Sequence, residues 1–170
     1  EAPVIGKVVE VTTGGWIVDI NAPYFAMLRA SDVIDRPFKP ETSDLPSIFD
    51  VGDLIIAKVA AYDRTRDPLL TIREPGLGKI MRGQLVEITP TKIPRVIGRK
   101  GSMVSMIKRE TECQITIGQN GLILVSGKTP EDERLAVMAL HKIEEESHTS
   151  GLTDRITEML RKKKEGAEHT

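Results

Sequence analysis

The chain has a single cysteine, Cys113, in 170 residues, which excludes an internal disulfide and suits a reducing, cytoplasmic setting. Histidine is almost as scarce. His141, His148 and His169 lie far from Cys113 and lack metal-ligand spacing, so no metal site is expected. No apolar run approaches the roughly 20 residues of a membrane-crossing helix, and no signal-peptide pattern is present, so no membrane partner is expected. No nucleophile sits beside a base, and the acids lie in mixed-charge stretches, so neither catalysis nor a cofactor is expected. What remains is a globular composition, 39% hydrophobic and 29% charged, long enough for one ordinary domain or two small ones.

The net charge of −1 hides a strong asymmetry. From Glu1 to Asp53 nine acids face four bases, a net of −5. From Lys79 to Arg109 the eight bases Lys79, Arg82, Lys92, Arg95, Arg99, Lys100, Lys108 and Arg109 face Glu87 alone, a net of +7. The segment from Glu131 to Glu146 returns to −4, with six acids and two bases. A basic stripe of this size is the electrostatic footprint of a nucleic-acid face.

Residues 4 to 73 read as β structure. Val4 to Val11 is rich in β-branched residues and ends at Thr13-Gly14-Gly15. Trp16, Val18 and Ile20 then alternate with Ile17 and Asp19, which places Trp16 in the core. Phe25 to Arg29 makes a third strand. A polar excursion from Asp35 to Asp50, with Pro37, Pro40 and Pro46, reads as loop with one helical turn. Leu54 to Tyr62 and Leu69 to Ile72 complete five short strands, joined through Asp63-Arg64-Thr65-Arg66-Asp67. Five strands with a long third-to-fourth connection suggest a small Greek-key barrel.

Glu74-Pro75-Gly76-Leu77-Gly78 breaks both periodic structures and marks a boundary, giving a barrel over 1–75. A second domain over 76–147 follows, then a helical extension over 148–170. In the second domain Gly83 to Ile88 reads as a strand and Lys92 to Val96 as a helical turn. Ser102 to Thr111 reads as a helix with Met103, Met106 and Ile107 on one face. Cys113 to Ile117 and Leu122 to Val125 are strands joined through the hairpin signal Asn120-Gly121. Thr129 can cap a helix that starts at Pro130, carries Asp132 at the capping-box position and runs to about Glu146. A last helix from Thr153 to Lys164 puts Ile156, Met159 and Leu160 on one face, to pack back on the chain or onto a partner; its Arg161–Lys164 run reads as a solvated end.

Between the two helical segments lies Gly98-Arg99-Lys100-Gly101. Glycine lets the backbone turn sharply and approach a ligand. A helix starting near Gly101 aims its free N–H groups and positive dipole end at the loop, and Arg99 and Lys100 add two full charges. Such a loop fits a phosphate backbone. It is not a Walker A loop, because the longer glycine spacing and the Lys-Ser/Thr ending are missing.

The loop and the order β-α-loop-α-β-β-α resemble a KH domain of the archaeal or eukaryotic type, whose GxxG loop clamps single-stranded nucleic acid. The first seventy residues resemble an S1 domain, an OB-type barrel, through Gly6-Lys7-Val8-Val9, Gly15-Trp16-Ile17-Val18-Asp19-Ile20, Ser31-Asp32-Val33, Val51-Gly52-Asp53 and Leu69-Leu70-Thr71-Ile72. The expected fold is therefore two small domains, an all-β five-stranded S1 barrel and an α+β KH domain, with a C-terminal helix. The family's frequent stacking aromatic falls at Ile17, and its third-strand histidine is Arg29, so little base stacking is expected of this barrel. The candidate RNA-binding residues are Ile97, Gly98, Arg99, Lys100, Gly101 and Ser102, flanked by Arg95, Lys108 and Arg109, with Arg29, Lys58, Arg64 and Arg66 on the barrel to steer phosphates.

One S1 domain followed by one KH domain resembles the S1/KH RNA-binding cap subunit of the archaeal exosome. That resemblance implies single-stranded RNA as ligand and, as partner, a hexameric phosphorolytic ring of two RNase PH-like subunits, capped by three copies that feed RNA 3′ ends into its channel. The loop reads Gly-Arg-Lys-Gly, where eukaryotic relatives tend toward Gly-x-Asn-Gly, so an archaeal source is expected. The family carries a further domain before the S1 barrel, so a chain opening on Glu1 is expected to begin mid-protein. An antitermination factor of the S1-KH-KH kind is the alternative, although the 23 residues after Ser147 are too few for a second KH unit. Polynucleotide phosphorylase carries both modules in reverse order. A mainly structural assembly subunit is a third reading.

Overall fold

The structure, a computed structural model, describes residues 3–34, 44–63 and 66–168. The chain divides into two compact units, 1–81 with 118–120 and 82–117 with 121–170.

In the first unit β1 (Val4–Thr12), β2 (Gly15–Asp19) and β3 (Phe25–Arg29) form an antiparallel meander. Two single helical turns follow, α1 (Ala30–Val33) and α2 (Leu45–Ile48). Strand β4 (Leu54–Asp63) pairs with β1 on one side and with β5 (Arg66–Thr71) on the other. A parallel contact at Met27 and Leu69 joins β5 to β3, so the five expected strands close in the order β1-β2-β3-β5-β4-β1. The two-residue β6 (Gly78–Lys79) adds to β4 and groups with this unit.

Alternation along β2 turns Trp16 and Val18 inward, beside Val8, Leu28, Ile55 and Leu70, all fully buried. Trp16 is core, as its alternation predicts. Its indole Nε1 donates to the carbonyl of Phe49 at 2.7 Å, and the Phe49 ring meets it edge-on at 5.1 Å. The turn α2 therefore delivers a plug to the barrel. Of the expected excursion between Asp35 and Asp50, residues 35–43 lie outside the described residues, and Leu45–Ile48 is the helical turn.

The second unit follows the expected order. Strands β7 (Gln84–Glu87), β8 (Gln114–Ile117) and β9 (Leu122–Ser126) form an antiparallel sheet in the order β7-β9-β8. A 3₁₀ turn at Pro90–Lys92 leads into α3 (Ile93–Ile97), and α4 (Ser102–Thr111) follows the glycine loop. Helix α5 (Pro130–Glu145) starts as predicted, with the Thr129 side chain accepting from the Asp132 N–H at 3.1 Å. Helix α6 (Leu152–Glu168) packs back on this unit: Leu152, Ile156 and Leu160 are buried in one cluster with Met103, Met106, Ile107, Leu140 and Ile143.

Candidate nucleic-acid interface

Pro94 sits in the first turn of α3, where a missing N–H costs nothing. The helix stops at Gly98, which donates its N–H to the Pro94 carbonyl at 2.9 Å and adopts φ 78°, ψ 175°. That backbone region is essentially reserved to glycine. One tight turn follows, closed by the Gly101 N–H on the Gly98 carbonyl at 3.2 Å. Lys100 (φ 55°, ψ 31°) and Gly101 (φ 75°, ψ 13°) are both left-handed, and α4 begins at Ser102. For a lysine this conformation costs roughly 1–2 kcal/mol.

No side chain caps α4, whose Ser102 N–H donates to the Arg99 carbonyl, and the positive end of its dipole faces the loop. Around that end Ile97, Arg99, Lys100 and Ser102 are exposed. Among the described residues no carboxylate pairs with Arg99, Lys100 or Lys108. Lys108 and Arg109 are exposed at the far end of α4, about 9–10 Å along the helix from Ser102 by its rise. Arg109 lies 3.8 Å from Glu110. Met103, Met106 and Ile107 turn the opposite face of α4 into the core, which leaves the cationic edge outward. Such an arrangement is chemically suited to successive phosphates.

Of the rest of the basic stripe, Arg82 is exposed and the other three cations have other employment. Arg95 is half-buried and donates NH2 to the Thr149 carbonyl at 3.0 Å. Lys92 donates Nζ to Ser147 Oγ at 2.8 Å, and Lys79 pairs with Asp53 at 3.3 Å. On the barrel Arg29 pairs with Asp32 at 3.2 Å and Lys58 with Glu74 at 3.1 Å. Arg64 lies outside the described residues, and Arg66 opens β5. The charges of Arg29 and Lys58 are thus already offset by a neighbouring carboxylate, whereas among the described residues Arg99 and Lys100 have no such pair.

Sequence reasoning passed over two features. Glu110 and Arg161 meet across 51 residues, with Nε and NH2 of Arg161 at 3.0 and 2.9 Å from Glu110 Oε1. That guanidinium holds the Glu110 carboxyl below the ordinary glutamate range, against a smaller opposing effect of burial. Likewise the Thr89 N–H, donating to Glu144 Oε2 at 2.7 Å, lowers the Glu144 carboxyl. No spacing pattern announces such contacts. The second feature was open to a count: all six aromatic residues, Trp16, Tyr24, Phe25, Phe38, Phe49 and Tyr62, precede residue 63. The second unit has none, so a ligand at its loop meets backbone, cations and the aliphatic Ile97 rather than an aromatic platform. Among the described residues no group of three or more His, Cys, Asp or Glu side chains is placed to hold a metal ion, and no helix is long and apolar enough to cross a membrane.

A closed OB-like barrel followed by a KH domain defines the class of this chain, and the KH domain family model matches residues 84–148. The chain belongs to the Rrp4 family of exosome complex components. It is 46% identical to exosome complex component Rrp4 of Nitrosopumilus maritimus over 162 residues, 95% of this chain and 72% of that protein. It is 47% identical to the Rrp4 component of Ignisphaera aggregans over 157 residues, 92% of this chain. There the chain spans 62% of the relative's length, less than two thirds. A crystal structure described as that of an exosome complex RNA-binding protein matches with a TM-score of 0.91 at 47% identity, covering 97% of this chain and 95% of that one.

Proposed function

We propose that this chain is the RNA-gripping part of a non-catalytic exosome cap subunit. It holds single-stranded RNA by its phosphates at Gly98–Gly101 and guides the 3′ end toward the channel of a hexameric ring of two RNase PH-like subunits, in three copies, in the cytoplasm. The observation that carries the reading is the start of α4, without a side-chain cap, behind a left-handed Lys100-Gly101 turn, with Arg99 and Lys100 exposed and without carboxylate partners among the described residues. Strain at a non-glycine residue persists where the surrounding structure enforces it, and a ligand-facing turn is where such strain is useful. Lys108 and Arg109 extend the cationic edge along α4. Arg29, Lys58, Arg64 and Arg66 add long-range steering rather than grip. The antitermination reading loses ground to the Rrp4 membership of the chain.

The test is the double charge reversal Arg99→Glu/Lys100→Glu, titrated with a labelled single-stranded RNA over a salt series. Affinity is expected to fall by about tenfold or more for every RNA sequence. The slope of log affinity against log salt should become shallower by about 0.7 for each lost phosphate contact. Unchanged RNA affinity with impaired assembly onto the ring would instead identify a mainly structural subunit. The chain alone, given RNA and inorganic phosphate, is expected to release no nucleoside diphosphate.

A further inference from the structure

The glycine loop has little holding it from within. Its backbone bonds are two short ones, Gly101 N–H to the Gly98 carbonyl and Ser102 N–H to the Arg99 carbonyl, and two of its residues are left-handed. A turn of this kind keeps one shape only if its surroundings fix both ends. Both ends lead to the same place, a part of the chain beyond the matched KH region, which stops at residue 148.

The α3 end is tied by Arg95, one turn before Gly98, whose NH2 donates to the Thr149 carbonyl. Lys92 reinforces it on Ser147. The receiving turn is itself fixed, because the Thr149 N–H and Oγ1 both donate to the Glu146 carbonyl, at 3.0 and 2.8 Å. Arg155 of α6 staples that turn further, with NH1 on the Ser150 carbonyl at 2.6 Å and NH2 on Glu146 Oε1 at 3.1 Å. The α4 side is held by Ile156 and Leu160 of α6, buried in one cluster with Met103, Met106 and Ile107, and by Arg161 on Glu110, eight residues beyond Ser102 along the helix.

We infer that the turn before α6 and α6 itself set the shape of the glycine loop, with Arg95 and Arg161 as positioning residues and not phosphate ligands. The inference deepens the RNA-grip reading and rests on it for its effect on affinity. Arg95 is the sharp case. It lies in the basic stripe three residues from Gly98, yet its guanidinium is half-buried and already engaged by a carbonyl. A phosphate at its NH2 would compete with that tie.

The experiment compares Arg95→Gln, Arg161→Gln and Arg99→Gln in the whole chain. It uses two readouts: affinity for a labelled single-stranded RNA over a salt series, and amide hydrogen exchange across residues 97–103 without RNA. Arg95→Gln is expected to weaken RNA binding by about tenfold, within the range of remote coupling, with the salt slope of the unaltered protein. Arg161→Gln should act in the same direction. Both should speed exchange across the loop. Arg99→Gln should weaken binding with a slope shallower by about 0.7 and leave loop exchange unchanged. A slope change for Arg95→Gln equal to that of Arg99→Gln would make Arg95 a phosphate ligand and overturn the inference. Unchanged loop exchange in Arg95→Gln and Arg161→Gln would overturn it as well. If Arg99→Gln has no effect on RNA while exchange still responds to Arg95→Gln, the RNA-grip reading has failed and the positioning has not. Charge exchange, Glu110→Arg with Arg161→Glu, should restore slow exchange if the pair acts by holding α4.

Discussion

A Cβ on Gly98 would lie 2.7 Å from both the Cβ and the backbone N of Met103, the first buried residue of α4. Gly101, three residues on, has open space, with Ser105 Oγ at 4.0 Å its nearest neighbour. The two glycines of the loop therefore do different work. Gly98 lets the loop pack against its own helix, and Gly101 leaves open space beside it, room that the proposed RNA grip would use. Gly98→Ala is expected to cost about 2–4 kcal/mol, from the glycine-only backbone and the clash together, read by urea unfolding. Gly101→Asp should cost only about 1 kcal/mol, because aspartate tolerates the left-handed region, while the added carboxylate abolishes RNA binding. Equal stability of the two variants would refute the distinction.

Trp16→Phe leaves the Phe49 carbonyl without its buried donor and opens space beside the Phe49 ring. The lost hydrogen bond alone is expected to cost about 1–3 kcal/mol. Circular dichroism during urea unfolding checks this, since the variant removes the fluorophore.

Thr129→Ala removes the oxygen that accepts from the Asp132 N–H at the start of α5. A loss of about 1 kcal/mol is expected, and Thr129→Ser should recover most of it. A stability equal to the unaltered chain for Thr129→Ala would mean that water satisfies the same N–H.

Acid should loosen the second unit. The folded carboxyls of Glu110 and Glu144 titrate below their unfolded values, held down by Arg161 and by the Thr89 N–H respectively. A depressed folded pKa contributes stability that is complete above the unfolded value near 4.3 and is lost as pH falls through the folded one. The melting temperature of the unit is therefore expected to drop on acidification below about pH 4.3. Glu110→Gln should lower it at neutral pH and flatten the acid dependence, and an unaltered acid profile in that variant would exclude Glu110 as a source.

Much of this was legible because the relevant signals are local. Thr129, Pro130 and Asp132 announce the start of α5 within four residues, and Met103, Met106 and Ile107 announce the buried face of α4 within five. Trp16 and Val18 share a side because a strand alternates. The employment of Arg95 was not legible, since Thr149 is 54 residues away, and the same holds for Arg161 on Glu110. To a reader of spacing, Arg95 and Arg99 are equivalent cations in one stripe; only the fold separates the one bonded to the Thr149 carbonyl from the one that has no carboxylate partner among the described residues. The different tasks of Gly98 and Gly101 needed backbone angles, which glycine of all residues does not disclose.

With Trp16 its sole tryptophan, both tyrosines at 24 and 62, and every phenylalanine before residue 50, the barrel is the coloured half of this protein and the loop-bearing unit is optically silent. Indole emission reports whether the Trp16–Phe49 lock is intact, and far-ultraviolet dichroism sums both halves. Their difference isolates the silent unit with no label attached. A tryptophan placed at Ser105, exposed on α4 and one turn from the open side of Gly101, would give this unit an indole signal of its own, separable from that of Trp16 by difference against the unaltered chain.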